Sequence, residues 1–141
     1  MIAWTTWGQG DSIVNEQELA NVEVIRRWFR EVWGERREAT IDELFAEEGL
    51  AYGLGPEPLK GPAGFKPTFS LFCDMFSEIV YEEIHCFGVG DKVALHGRFR
   101  VVSKASGGVA HILGGGVARL ANGQLQEAWN AWDFLATCIE L

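Results

Sequence analysis

The 141-residue sequence predicts an α+β fold, with a curved, mostly antiparallel sheet wrapped around three helices of the N-terminal half. Three observations predict it. Before residue 80, apolar residues recur at intervals of three and four, the spacing of one helical face. After Val80 the pattern switches to strand-like alternation cut by turn residues. Within one of those strands stands Gly114-Gly115-Gly116. Three residues that offer nothing to pack favour a bulge or a sharp bend, and a strongly bent sheet closes around an internal pocket. The triplet is no phosphate loop, because no helix follows it and no Lys-Ser or Lys-Thr completes the motif.

Residues 1–14 read as an irregular arm carrying Trp4 and Trp7, and residues 15–141 as a single domain. Ser12 or Asn15 can cap a first helix running to about Trp33, with Leu19, Val22, Ile25, Phe29, Val32 and Trp33 on one face. Gly34 lets the chain turn. Thr40 and Glu43 match a capping box, in which each side chain satisfies the other's backbone donor, opening a short second helix to about Ala46. Leu50 to Leu54 reads as a strand stub before a loop bounded by Gly55-Pro56 and Gly61-Pro62. The third helix, from Pro62 or Gly64 to Ile79, places Phe65, Phe69, Phe72, Phe76 and Ile79 at intervals of four, three, four and three, with Leu71 and Met75 widening the stripe. Pro67 falls in its first turn. Strands follow over Tyr81–Val89, Lys92–Ser103, Val109–Leu120 and Gln124–Leu135, joined by Gly90-Asp91, Ser106-Gly107-Gly108 and Asn122-Gly123. The Asn-Gly pair is a strong hairpin signal, because both turn positions need φ > 0.

Alternation separates the two faces of each strand. On Lys92–Ser103, Val93, Leu95, Phe99 and Val101 form the inner set; His96, Arg98 and Arg100 form the outer one. On the last strand, Leu125, Glu127, Trp129, Ala131 and Asp133 share the face that is more apolar near the turn. Strict alternation makes that the inner face and leaves Asn130, Trp132 and Phe134 outside. Two carboxylates are thereby expected among buried side chains, where a carboxylate finds a partner, shifts its pKa or does chemistry.

Composition narrows the function. The net charge is −8, with Lys and Arg in short groups such as Arg26-Arg27 and Arg36-Arg37, which argues against nucleic acid. Six Trp and nine Phe are a large aromatic complement for this length, suited to lining a cavity as well as filling a core. Cys73, Cys86 and Cys138 have no metal-ligand or redox spacing. No dinucleotide fingerprint is present, so the expectation is no metal and no cofactor. The stretch MIAWTTWGQGD lacks a basic region and an apolar run, and no segment approaches the roughly 20 apolar residues of a membrane helix, so no membrane partner and a cytoplasmic location are expected.

The arginine-bearing strand Val117–Leu120, the Asn-Gly turn and "LQEAWNAWD" resemble the C-terminal hairpin of the nuclear-transport-factor-2-like superfamily, within it the SnoaL-like polyketide cyclases. "NVEVIRRWFREVWGERREATIDELFAEEGL" is similar to the family's first two helices and first strand. "GPAGFKPTFSLFCDMF" is similar to its third helix, and "GVGDKVALHGRF" to the hairpin and strand that follow. The resemblance spans roughly residues 15 to 135. It implies a cone-shaped fold and cofactor-free acid/base chemistry, such as cyclisation, isomerisation or dehydration, on a hydrophobic oxygenated substrate. The same fold also serves as a non-catalytic ligand-binding or dimerisation module.

By that resemblance Asp133 stands at the position of the general acid/base. A sheet-end carboxylate paired with Arg119 is the competing reading. His111, alternating with Val109 and Leu113, can point inward as the partner of Asp133 or serve as a hydrogen-bonded core residue. Tyr52, Phe65, Phe69, Phe72 and Trp129 are the candidate ligand-binding walls. The ketosteroid isomerases carry a general-base aspartate in the loop after the second helix, and Ala51 to Pro56 here contains no acid. Limonene epoxide hydrolases use an Asp-Arg-Asp set, whereas "GRFR" offers Arg98 and Arg100 without the aspartate. Both activities are disfavoured. Relatives dimerise through the outer sheet face. A homodimer burying Trp132 beside Arg98 and Arg100 is therefore expected.

Overall fold

The computed structural model describes residues 15–140; the expected arm with Trp4 and Trp7 lies outside the described residues. The first helix, α1 (Glu16–Trp28), starts at Asn15, whose Oδ1 accepts the Glu18 N–H at 2.8 Å. Acidic residues occupy its first turn and Arg26 and Arg27 its last, each complementing the helix dipole. It then widens into a π-helical segment, Phe29–Gly34, that keeps Phe29, Val32 and Trp33 buried.

The second helix, α2 (Ala39–Leu44), is not opened by a capping box. Thr40 lies inside it, and its hydroxyl donates to Glu31 Oε1 at 2.8 Å. Glu43 instead accepts from Arg37 at 2.8 Å and from Arg27. Charge-assisted pairs between guanidinium and carboxylate outbid a reciprocal local cap. These contacts tie α2 to the end of α1.

Strand β1 (Phe45–Tyr52) and the short β2 (Leu59–Lys60) precede α3 (Gly61–Met75). Phe65 and Phe69 are buried on α3 and Phe72 partly so. Leu71 and Met75, expected to widen that stripe, are exposed. The helix begins early enough that Pro67 falls in its second turn, and it ends early too, because Phe76 already pairs with Ser103. Strands β3 (Phe76–Val89), β4 (Lys92–Ser103), β5 (Val109–Ala121) and β6 (Gln124–Trp132) follow, and the described residues close with a helix, α4 (Phe134–Glu140), where continued strand was expected.

The six strands of the described residues form one curved sheet in the order β2-β1-β6-β5-β4-β3, antiparallel except for β1 beside β6. Asn122 and Gly123 have φ of 54° and 73°, as the hairpin turn requires. The glycine triplet makes no bulge: pairing runs unbroken through it on both sides. Its role is close approach. A Cβ on Gly115 would stand 2.1 Å from the Leu95 carbonyl oxygen, and one on Gly116 equally close to that of Trp129.

A bulge does occur in β6. Arg119 pairs with Glu127 and Leu120 with Leu125, leaving Gln126 extra. One unpaired residue reverses the faces of everything beyond it. Leu125 is inside as expected, but Ala128, Asn130 and Trp132 now join it, and Glu127, Trp129 and Ala131 turn outward. Trp132 packs 5.0 Å from Phe99 and 6.2 Å from Phe29 between ring centroids. The expectation that Trp132 lies outside and is buried by a dimer is thereby corrected. Glu127, expected inside, pairs with Arg119 at 2.8 Å.

Candidate functional site

The α3 phenylalanines meet the tryptophans of α1 and its extension. Trp28 stands edge-on to Phe65 at 5.1 Å, and Trp33 contacts Phe65, Phe69 and Phe72 at 6.1, 5.7 and 5.8 Å. All of these but the tilted Trp33–Phe69 pair are edge-to-face, a geometry that adds to simple burial. The rings do not close the interior completely. A cavity of about 80 Å³ remains between α1 and the inner sheet face, walled by Trp28, Phe65, Phe99, Ala128 and Trp132 among others. A smaller one of about 50 Å³ lies beyond Trp33 and Trp132, where Thr68, Phe72 and Phe134 meet.

Among the described residues, the side-chain amide lining the larger cavity is that of Asn130. Its Nδ2 donates to the Tyr52 carbonyl at 3.0 Å, holding β6 to β1, and its Oδ1 accepts from Trp132 Nε1 at 3.2 Å. One amide N–H is left for a ligand oxygen. Among the described residues, no carboxylate, histidine, cysteine or lysine lines either cavity. No cluster of three metal-ligating side chains occurs among them either, and no helix is long and apolar enough to cross a membrane.

Asp133 is exposed rather than buried. Its backbone N–H donates to the Leu113 carbonyl at 2.8 Å, and its Oδ1 accepts the Ala136 N–H at 3.1 Å, so the carboxylate caps α4. It is not paired with Arg119, which holds Glu127. His111 lies on the outer face between Val109 and Leu113, each more than two-fifths exposed, while its neighbours Ala110 and Ile112 are the buried ones. The inward orientation expected of both residues is corrected: for Asp133 by the β6 bulge, for His111 because the inner set of β5 is Ala110, Ile112, Ala118 and Leu120. Helix α4 links their main chains, since Thr137 Oγ1 lies 3.2 Å from the carbonyl oxygens of both.

Of the expected walls, Phe65 and Trp129 border the larger cavity and Phe72 the smaller. Phe69 packs behind them on Trp33, and Tyr52 lies outside, its ring parallel to Trp129 at 6.1 Å. Asn130 and Trp132 escaped the sequence reading. The signal that would have found them is the bulge, and no Gly or Pro marks it at Gln126.

A cone of helices and curved sheet enclosing an apolar cavity defines the nuclear-transport-factor-2-like class of fold. A model of the SnoaL-like domain matches residues 25–128, and the chain belongs to that family. It is similar in structure to a candidate SnoaL-like polyketide cyclase from Jannaschia sp. CCS1, with TM-score 0.81 and 19% identity over 90% of this chain and 94% of that one. IdmH from Streptomyces antibioticus, described as a candidate polyketide cyclase, has TM-score 0.76 and 15% identity over 85% and 96% of the two chains. An LEH-like epoxide hydrolase of M. tuberculosis has TM-score 0.72 and 10% identity over 88% and 90%. At such identities the likeness is one of fold. No curated protein matches the sequence.

Proposed function

We propose that the chain binds a compact, ring-bearing hydrophobic molecule in the larger cavity, with a ligand carbonyl accepting from Asn130. The observation that carries this reading is the lining itself: aromatic and aliphatic side chains around a single amide. Acetophenone, one ring with one carbonyl, is a suitable probe. It should bind with a dissociation constant measurable by calorimetry, and Ala128→Leu, which fills the cavity, should weaken it at least about tenfold. Undiminished binding to that variant would reject the site.

Acid/base catalysis is the second reading, and one observation favours it. Asp133 is flanked by Trp132 and Phe134, both walls of the smaller cavity. A substrate whose reacting carbon projects past Phe134 would meet its carboxylate, with His111 on the adjoining strand as the partner. Asp133→Asn tests this cleanly, because asparagine caps a helix as well as aspartate does. Turnover of a polyketide-like substrate should fall by orders of magnitude with stability unchanged. Undiminished turnover would exclude Asp133. In either reading the outer sheet face is the homodimer surface. Leu113, Val117 and Trp129 are exposed there among the Arg98–Glu82 and Arg119–Glu127 pairs, a mixture of rings and charges suited to self-association.

A further inference from the structure

A hollow larger than either of these cavities lies outside the cone. Between β3 and the face of α1 that continues into the π-helical segment runs a cleft of about 350 Å³, within the size range of small-molecule sites. Ile25, Phe29 and Ile79 are buried at its base, and Tyr81 stacks on Phe29 at 4.1 Å with an interplanar angle of 21°. Two local features open it. The bulge between Glu83 and His85 brings Cys86 to the helix side of β3. Gly97 has no side chain beneath Tyr81, where a Cβ would stand 2.5 Å from the phenol oxygen, so that ring can lie across the neighbouring strand.

The rim is charged unequally. Glu83 is engaged by Arg26 through two bonds of 2.9 and 3.1 Å. Among the described residues Arg30 makes no such short bond: it forms longer ion pairs with Glu23 and Glu31, at 3.7 and 3.8 Å, beyond hydrogen-bond length. Glu31 already accepts from Arg27 at 2.7 Å and from Thr40 at 2.8 Å. Held only by these long pairs and more than half exposed, the Arg30 fork can turn its donors to an outside anion, and a guanidinium matches the two oxygens of a carboxylate. Burial pushes the Tyr81 hydroxyl up to about 12, and also raises the Cys86 thiol. Both groups keep their protons at neutral pH and can donate to a bound oxygen.

We infer that this cleft is a second ligand site, separate from the cone cavity, for a compact hydrophobic carboxylic acid whose apolar body rests on Ile25, Phe29 and Tyr81 and whose carboxylate meets Arg30. The probe is 2-naphthoate, with its neutral analogue 2-naphthamide as reference, titrated by calorimetry into the full chain. The unmodified protein should prefer naphthoate by about tenfold, the scale of a charge-assisted hydrogen bond. Arg30→Gln, an exposed change, should abolish that preference while leaving naphthamide binding unaltered. Cys86→Phe should remove both ligands by filling the cleft, and Ala128→Leu, which blocks only the cone cavity, should affect neither. Equal affinity for acid and amide in the unmodified protein, or naphthoate binding lost in Ala128→Leu and retained in Arg30→Gln, would overturn the assignment. Absence of naphthoate binding at millimolar concentration would overturn it as well. Acetophenone binding reports the cone cavity independently of these outcomes.

Discussion

Strands β4 and β6 flank the same neighbour, β5, and alternate in the same way, yet they bury their rings by different rules. Against β5, β4 pairs from Lys92 to Val102 without interruption, so one choice of phase assigns its length. Val93 and Val101 are almost fully buried, while Arg98 and Arg100 pair with Glu82 and Glu78 on the outer face. β6 holds one extra residue at Gln126 and changes phase there. Trp129 and Trp132, three apart, face opposite sides in any strand, but the bulge decides which is buried: Trp132 goes to the core and Trp129 is 39% exposed. A phase read from one end of a strand is valid only up to the first unpaired residue.

The largest expected effect tests that separation. Trp132→Ala should remove ring contacts with Phe29 and Phe99 and cost about 3 kcal/mol, lowering the melting temperature by about 10 °C. A shift below a couple of degrees would mean that the ring is not part of the core. Next comes the strand both neighbours share. Gly115→Ala would force a Cβ against the Leu95 carbonyl, a backbone atom that cannot swing aside, and should cost about 2 kcal/mol in denaturant unfolding. Deleting Gln126 offers the sharpest contrast with β4. If the bulge alone sets the phase, the deletion leaves Leu125, Ala128 and Trp132 on one face and costs about 1 kcal/mol, with the near-ultraviolet tryptophan spectrum preserved. Loss of that spectrum would break the account.

Trp129→Glu should leave the fold intact within about 1 kcal/mol, the worth of its stacking on Tyr52, yet shift the protein towards monomer in sedimentation. An unmodified protein that sediments as a monomer at micromolar concentration would remove the assembly role of this face. The smallest effect concerns pH. Tyr81 pairs with Phe99 of β4, and its partly buried hydroxyl is held up to about 12 against an ordinary 10, chiefly by desolvation. The folded state therefore binds this proton more tightly than the unfolded chain. The associated stability is present below pH 10 and is lost as pH rises through 12. Tyr81→Phe should flatten that alkaline decline in a melting series, and an unchanged slope would place the decline elsewhere.

Local chemistry made much of the fold legible. The four-and-three spacing of Phe65, Phe69 and Phe72 marks α3 because a helix has one period, and Asn122-Gly123 marks the last hairpin because few residues tolerate φ > 0 twice in succession. Asn15 as a cap and β4 as a strand follow from equally local rules, as does the SnoaL-like motif run. What only the tertiary structure decided is everything that depended on a distant competitor. Thr40 and Glu43 fit a capping box until Arg27, Arg37 and Glu31 come within reach from α1 and the turn beyond it. Asp133 looks like a buried acid until α4 needs a cap. Phase in β6 is set by pairing with β5 and β1, whose bonds outweigh strict alternation within nine residues. The cavities, likewise, are what remains when rings from α1, α3 and four strands meet. A sequence carries the size and polarity of each side chain, but the space left between them depends on packing from every side at once.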